Sequence, residues 1–203
     1  MRARFARILL GGAAAVLSAT LSATTALAAS SWTVTPGGPY RGSGTLMLED
    51  GSTGSIFSCD SSIAGKFRKG TGPGTHIGSI TSLGLSKCTG PLGLTFTATA
   101  GGLPWFLNAA SYKSGTTTGK VTGIHLSFSG AGCSAVVDGT PGSKDNGKVT
   151  FTYTNSTHKL TMGTPDNLHA YSVSGCEGLL NSGDSMNMSA TYTITPPQTI
   201  TGP

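Results

Sequence analysis

Charge is scarce in this chain: Asp, Glu, Lys and Arg make up 10% of 203 residues, and only eight of them are acidic. That poverty excludes the Glu/Lys/Leu-rich periodicity from which amphipathic helices are built. The longest apolar stretch, Ile8 to Leu17, falls short of the roughly twenty residues a membrane-crossing helix needs. No Cys-x-x-Cys pair occurs, which argues against a structural zinc site. His76, His125, His158 and His169 are too scattered to form a His-x-His or His-x-x-x-His pattern. Gly-x-Ser-x-Gly, the sharp turn that displays a hydrolase serine, is missing, as is the Asp-x-Asp-x-Asp-Gly calcium loop.

What is abundant is Gly, Ser and Thr, the composition of short strands joined by tight turns. Before that composition is read, residues 1–28 must be set aside as a predicted signal peptide. Arg2, Arg4 and Arg7 form its basic region, Ile8 to Leu17 its apolar stretch, and Ala26-Leu27-Ala28 its cleavage site. No Cys follows that site to take a lipid, and no Arg-Arg pair marks the twin-arginine route. The expected product is secreted and extracellular, without a membrane anchor. Without the three signal arginines, basic and acidic residues nearly balance, so nucleic acid is not an expected partner.

The four cysteines lie in a repeated pattern. Cys59-Asp60-Ser61-Ser62-Ile63-Ala64-Gly65 and Cys133-Ser134-Ala135-Val136-Val137-Asp138-Gly139 share Cys, three residues, a β-branched aliphatic, one residue, Gly. Later come Cys88-Thr89-Gly90 and Cys176-Glu177-Gly178, each leading into a Thr-rich alternating run. In an oxidising compartment these cysteines pair, and three connectivities are available. The repeat favours Cys59–Cys88 and Cys133–Cys176. The chain-entropy model credits closing such loops with about 3.5 to 4 kcal/mol each.

Period-two alternation predicts strands at Leu94 to Ala100, Lys120 to Phe128, Val149 to Tyr153 and Met186 to Ile194, with threonine on the wet face. Gly123 interrupts its run and reads as a bulge. Asp50-Gly51 and Asn155-Ser156-Thr157-His158 read as hairpin turns. The expected fold is all-β, an antiparallel sandwich or barrel-like form made of two pseudo-repeated halves, each with one disulfide. The expected all-β domain spans 29–195, with halves 29–116 and 117–195, and 196–203 is expected to be a flexible C-terminal tail.

Catalytic chemistry finds little support. His169 near Asp166 is the best local acid–base pair, but a surface histidine beside a turn aspartate is the more economical reading. Glu49, Asp50 and Asp60 bring oxygens around one turn, again read as ordinary surface charge. No catalytic residue, metal site or cofactor is assigned. Binding is the preferred alternative: Trp32, Tyr40, Trp105 and Tyr112 are candidate ring-stacking residues, and the Thr faces present hydroxyls. Lys66, Arg68 and Lys69 around Phe67 form a small basic edge, which also fits an edge strand protected from aggregation.

Ser31-Trp32-Thr33-Val34 with Pro36-Gly37-Gly38, the stretch from Cys59, and Ser174-Gly175-Cys176-Glu177-Gly178 through Gly183-Asp184 resemble small secreted β-rich, disulfide-containing proteins of actinomycetes. That resemblance implies an extracellular setting, brings no assigned activity, and transfers no catalytic residue. The expected function is a secreted non-catalytic β module that binds a glycan, a cell-wall polymer or a protein, or has a structural role. The alternative is a small extracellular hydrolase with a loop-assembled site.

Overall fold

The computed structural model describes residues 31–139 and 145–203; the predicted signal peptide lies outside the described residues. Alternation becomes strand where the sequence has it, because one face of each segment can be buried while the other keeps its hydroxyls in water. β1 (Trp32–Thr35) is followed by β2 (Gly38–Asp50), which turns into β3 (Ile56–Phe67). β4 (Gly70–Gly72) is short; β5 (Gly78–Thr89) leads through a 3-10 turn at Pro91–Gly93 into β6 (Thr95–Gly101). β7 (Trp105–Lys113) and β8 (Thr116–Gly130) form a hairpin, and β9 (Cys133–Asp138) returns along the far half of β8. β10 (Gly147–Thr154), β11 (Lys159–Pro165), β12 (His169–Ser174), β13 (Met186–Thr193) and β14 (Thr199–Thr201) complete the chain.

Hydrogen bonding closes these strands into an antiparallel barrel. One eight-stranded ring runs β2-β3-β5-β7-β8-β10-β11-β13 and back to β2. At the other end β6 replaces β7, and β9 and β12 replace β10 and β11. This second ring closes where β12 meets the approach to β13, through the His169–Ser185 bridge and the bonds Ala170 N–H to Asp184 O (2.8 Å) and Met186 N–H to Leu168 O (2.9 Å). Closure leaves neither ring with an open edge.

β8 is the strand that serves both rings. Up to Ile124 it pairs with β7 and β10; from His125 onward it pairs with β6 and β9. Gly123 sits at the switch with φ +90°, and the β10 register skips it, placing Gly147 opposite Ile124 and Lys148 opposite Thr122. This is the bulge read from the sequence, and its positive φ explains why glycine is there.

A three-stranded sheet, β14-β1-β4, lies beside the first ring. Residues 196–203, read from sequence as a flexible tail, carry β14. The reason is a set of long-range polar contacts that no local pattern announces. The Tyr153 hydroxyl donates to Gln198 O (2.9 Å), Gln198 Oε1 accepts from Gly37 N–H (2.9 Å), and Asn155 exchanges two bonds with Ile200 (2.9 Å each).

Both disulfides form as the repeat favours: Cys59–Cys88 and Cys133–Cys176. The repeat itself has a physical meaning. Cys59, Ser61 and Ile63 point inward, as do Cys133, Ala135 and Val137. The closing glycines, Gly65 and Gly139, lie where a Cβ would strike Ser79 and Asn146. All buried apolar side chains join in one core running through both rings.

Candidate functional site

Eight-stranded barrels either fill their interior with side chains or hold a small ligand. Here the first ring is filled by aromatics: Trp105, Phe151, Tyr153, Tyr40 and Tyr192 are all at most 2% exposed. Burial raises the pKa of Tyr192 to about 12, opposed by its hydrogen bond with Ser61 (2.8 Å). Burial, helped by the charge of Tyr192, also pushes the Tyr40 phenol well up. In the second ring a cavity of only about 20 Å3 lies among Leu46, Phe57, Phe96, Leu126 and Phe128. That is room for about one water, not for a hydrocarbon or a sugar.

The candidate stacking residues are therefore placed as follows. Trp32, Tyr40 and Trp105 are buried, with the Trp105 indole N–H donating to Gly101 O (3.0 Å) and the Tyr40 hydroxyl to Ser79 O (3.1 Å). Tyr112 is half-buried on β7. The four do not converge on one surface. Of the basic edge, Lys66 and Lys69 are exposed, while the Arg68 guanidinium is used internally, donating to Thr75 O and Trp32 O (3.3 Å each).

His169 and Asp166 are not paired. Asp166 bonds Lys120 (2.9 Å), and His169 Nδ1 lies 3.3 Å from Gly183 O. Strand pairing explains this: His169 is taken up by β12, opposite Asp138, while Asp166 stays outside the strand. Glu49, Asp50 and Asp60 are likewise not a cluster. Asp60 pairs with Lys87 (3.1 Å) on the open surface, whereas Asp50 is fully buried.

The sequence reading missed an acid–base pair that the fold does make. His125 is 17% exposed and bonds Asp138 through Nδ1 (2.8 Å). Asp138 is 2% exposed and also accepts from Gly139 N–H (2.6 Å), Asp145 N–H (2.9 Å) and Asn146 N–H (3.1 Å). Burial works to raise its pKa, but the bonds from His125 and from these amides outweigh it and hold the carboxyl below its ordinary value. Asp145 Oδ1 lies 3.7 Å from the same imidazole nitrogen. His125, Asp138 and Asp145 are close enough to share a metal ion. Yet both Asp138 oxygens are already occupied by N–H donors, so the carboxylate ties Gly139 to Asp145 and Asn146. Among the described residues no hydroxyl hydrogen-bonds His125.

With the interior filled, the outer wall is what remains available. Its exposed faces carry hydroxyls in register: Ser111 opposite Thr118, Thr118 opposite Thr152, Thr152 opposite Thr161, and Thr161 opposite Thr191. Ser111 and Thr118 are hydrogen-bonded (2.6 Å), as are Thr161 and Thr191 (3.2 Å). Farther round, an open groove of about 400 Å3 is lined by Arg41, Ser43, Ser62, Ala64, Ser82 and Thr193 among others. Small side chains in facing positions make it concave; Ser43 stands opposite Ser62 and Ala64 opposite Ser82. Among the described residues the large apolar groups most exposed are Met47 (40%), Ile56 (46%) and Leu92 (95%), the last at the tip of the turn between β5 and β6.

A closed, solidly packed antiparallel barrel with a hydroxylated exterior is the class of protein this structure defines. The chain belongs to the family described as alkane oxidation protein activator PraA/PraB-like, whose profile it matches over residues 3–201. That description carries an accessory role, where the actinomycete resemblance implied none. No curated protein and no solved structure matches the chain. No helix of the described residues is long and apolar enough to cross a membrane.

Proposed function

We propose that this protein is an exported, non-catalytic accessory factor for alkane oxidation that works through its outer wall. The observation carrying this reading is the filled barrel: the space of about 20 Å3 among Leu46, Phe57, Phe96, Leu126 and Phe128 is too small for an alkane or a sugar, which favours a partner met outside. Family membership supports the accessory role. Two disulfides support an oxidising, extracellular setting. Within the wall, the groove of Arg41, Ser43, Ser62, Ser82 and Thr193 is the contact proposed for a hydroxylated cell-surface polymer. Its hydroxyls can both donate and accept, and Arg41 adds one cation for an anionic substituent.

The test is add-back. Cells lacking the gene are grown on hexadecane with purified protein in the medium, and alkane consumption is followed. Restoration by external protein is expected; restoration only by protein made inside the cell would contradict the extracellular reading. Retention on isolated wall polysaccharide, lost in Ser62→Arg, is expected of the groove, and equal retention of wild type and variant would remove it. A second reading, direct contact with the hydrocarbon, is favoured by the nearly bare Leu92. It predicts adsorption to hexadecane droplets that Leu92→Ser abolishes.

A further inference from the structure

We propose that Asp50 and Asp184 form a site for a hard divalent cation of the calcium type, tying the β2–β3 turn to the loop before β13. Asp50 is 0% exposed. Its Oδ1 accepts from Ser52 N–H (2.6 Å) and Thr53 N–H (3.0 Å). Its Oδ2 is buried and has no hydrogen-bond partner among the described residues. Such an oxygen is costly to leave alone, because it has lost its water and gained nothing in return.

What stands beside it is another carboxylate. The Asp184 carboxyl lies close enough to the Asp50 and Ser52 side chains for both to act on it. Asp184 Oδ2 accepts from the backbone N–H and the amide of Asn181 (2.8 and 3.1 Å). The two loops are already held together by Gly51 N–H to Ser185 O (2.8 Å) and Thr53 Oγ1 to Leu179 O (3.0 Å). No Lys, Arg or His occurs in residues 50–55 or 179–185. Two adjacent carboxylates, one sealed from water, call for a cation or a shared proton; neither segment supplies a cation, and His169, which bridges to Ser185, turns its Nδ1 to Gly183 O (3.3 Å). The oxygens there that no N–H donor takes are Asp50 Oδ2 and Asp184 Oδ1, with the Ser52 hydroxyl beside them. That set suits Ca2+, which accepts six to eight oxygens in flexible geometry, better than a nitrogen- or sulfur-seeking metal. The site is independent of the proposed function.

The experiment is a melting curve of the purified protein, stripped with EDTA, across a CaCl2 titration with ionic strength held constant by NaCl. A cation that binds only the folded chain raises Tm with its concentration. At a hundredfold excess over Kd the rise expected for a protein of this size is about 5 °C or more. Asp184→Asn keeps the Asn181 contacts within reach of an amide and is expected to fold, with the calcium response weakened at least tenfold. Asp50→Asn is expected to remove it. A Tm unmoved by Ca2+ in the wild type overturns the proposal and leaves a proton shared between the two acids. A response that persists unchanged in Asp184→Asn overturns it as well.

Discussion

The two ends of the barrel share β2, β3, β5, β8 and β13 yet are held by different means. The end containing β7, β10 and β11 has no disulfide and is filled by large rings. The other, containing β6, β9 and β12, has both disulfides, a cluster of Phe57, Phe96 and Phe128 beside smaller groups such as Ala135, Val137 and Ala170, and two buried carboxylates. Aromatic packing fills volume and removes large apolar areas from water. At the other end three phenylalanines and smaller groups share that task with two covalent links and a buried carboxylate held by backbone amides. One continuous wall can thus be stabilised by two chemistries in sequence.

The largest expected effect falls on the aromatic end. Trp105→Ala removes a wholly buried indole and leaves a cavity, for an expected loss of about 3–5 kcal/mol in denaturant unfolding. At the disulfide end, the double variant Cys133→Ala with Cys176→Ala releases a 43-residue loop and is expected to cost about 4 kcal/mol. If Trp105→Ala cost under 1 kcal/mol, the difference between the ends would be lost.

A smaller effect comes from the buried charge. His125→Ala withdraws one donor from Asp138 but leaves three amides, so a loss of about 1–3 kcal/mol is expected. Hydrogen exchange should place that loss in β9 and the loop after it.

The pH dependence should sort the ends by sign. Asp138 has a lowered pKa in the fold, so its contribution is present above the ordinary carboxyl value of 3.8 and is lost as pH falls through the folded value. Tyr192 is the opposite case. Its stabilisation is present below pH 10.0 and disappears as pH rises through about 12. Acid should therefore loosen the disulfide end first and alkali the aromatic end, as read by amide exchange quenched from each condition. The smallest effect is on the wall: Thr152→Ser should change stability by no more than about 0.5 kcal/mol.

Much of the architecture can be read locally. The alternations at Val149–Tyr153 and Met186–Ile194 announce strands because a barrel wall buries every second residue. The paired Cys-containing motifs announce the disulfides because each holds the same inward register. Ring closure is another matter: nothing within β13 says that it will meet both β2 and β11. Whether Trp32 and Tyr40 face inward or outward is not legible, because sequence does not tell an inward ring from an outward one at a strand end. The Asp138–His125 pair was nonetheless within reach. A tight turn at Gly130-Ala131-Gly132 sets β8 against β9 with Leu126 opposite Val137, and the next step back along that register brings His125 to Asp138. The Asp50–Asp184 approach was not readable, because it joins segments more than a hundred residues apart.

The most direct measurement is hydrogen exchange before and after mild reduction of both disulfides. Protection is expected to fall in β6, β9 and β12 while β7, β10 and β11 keep theirs. Uniform loss along all strands, or loss confined to the aromatic end, would contradict a barrel whose two ends are secured by different means.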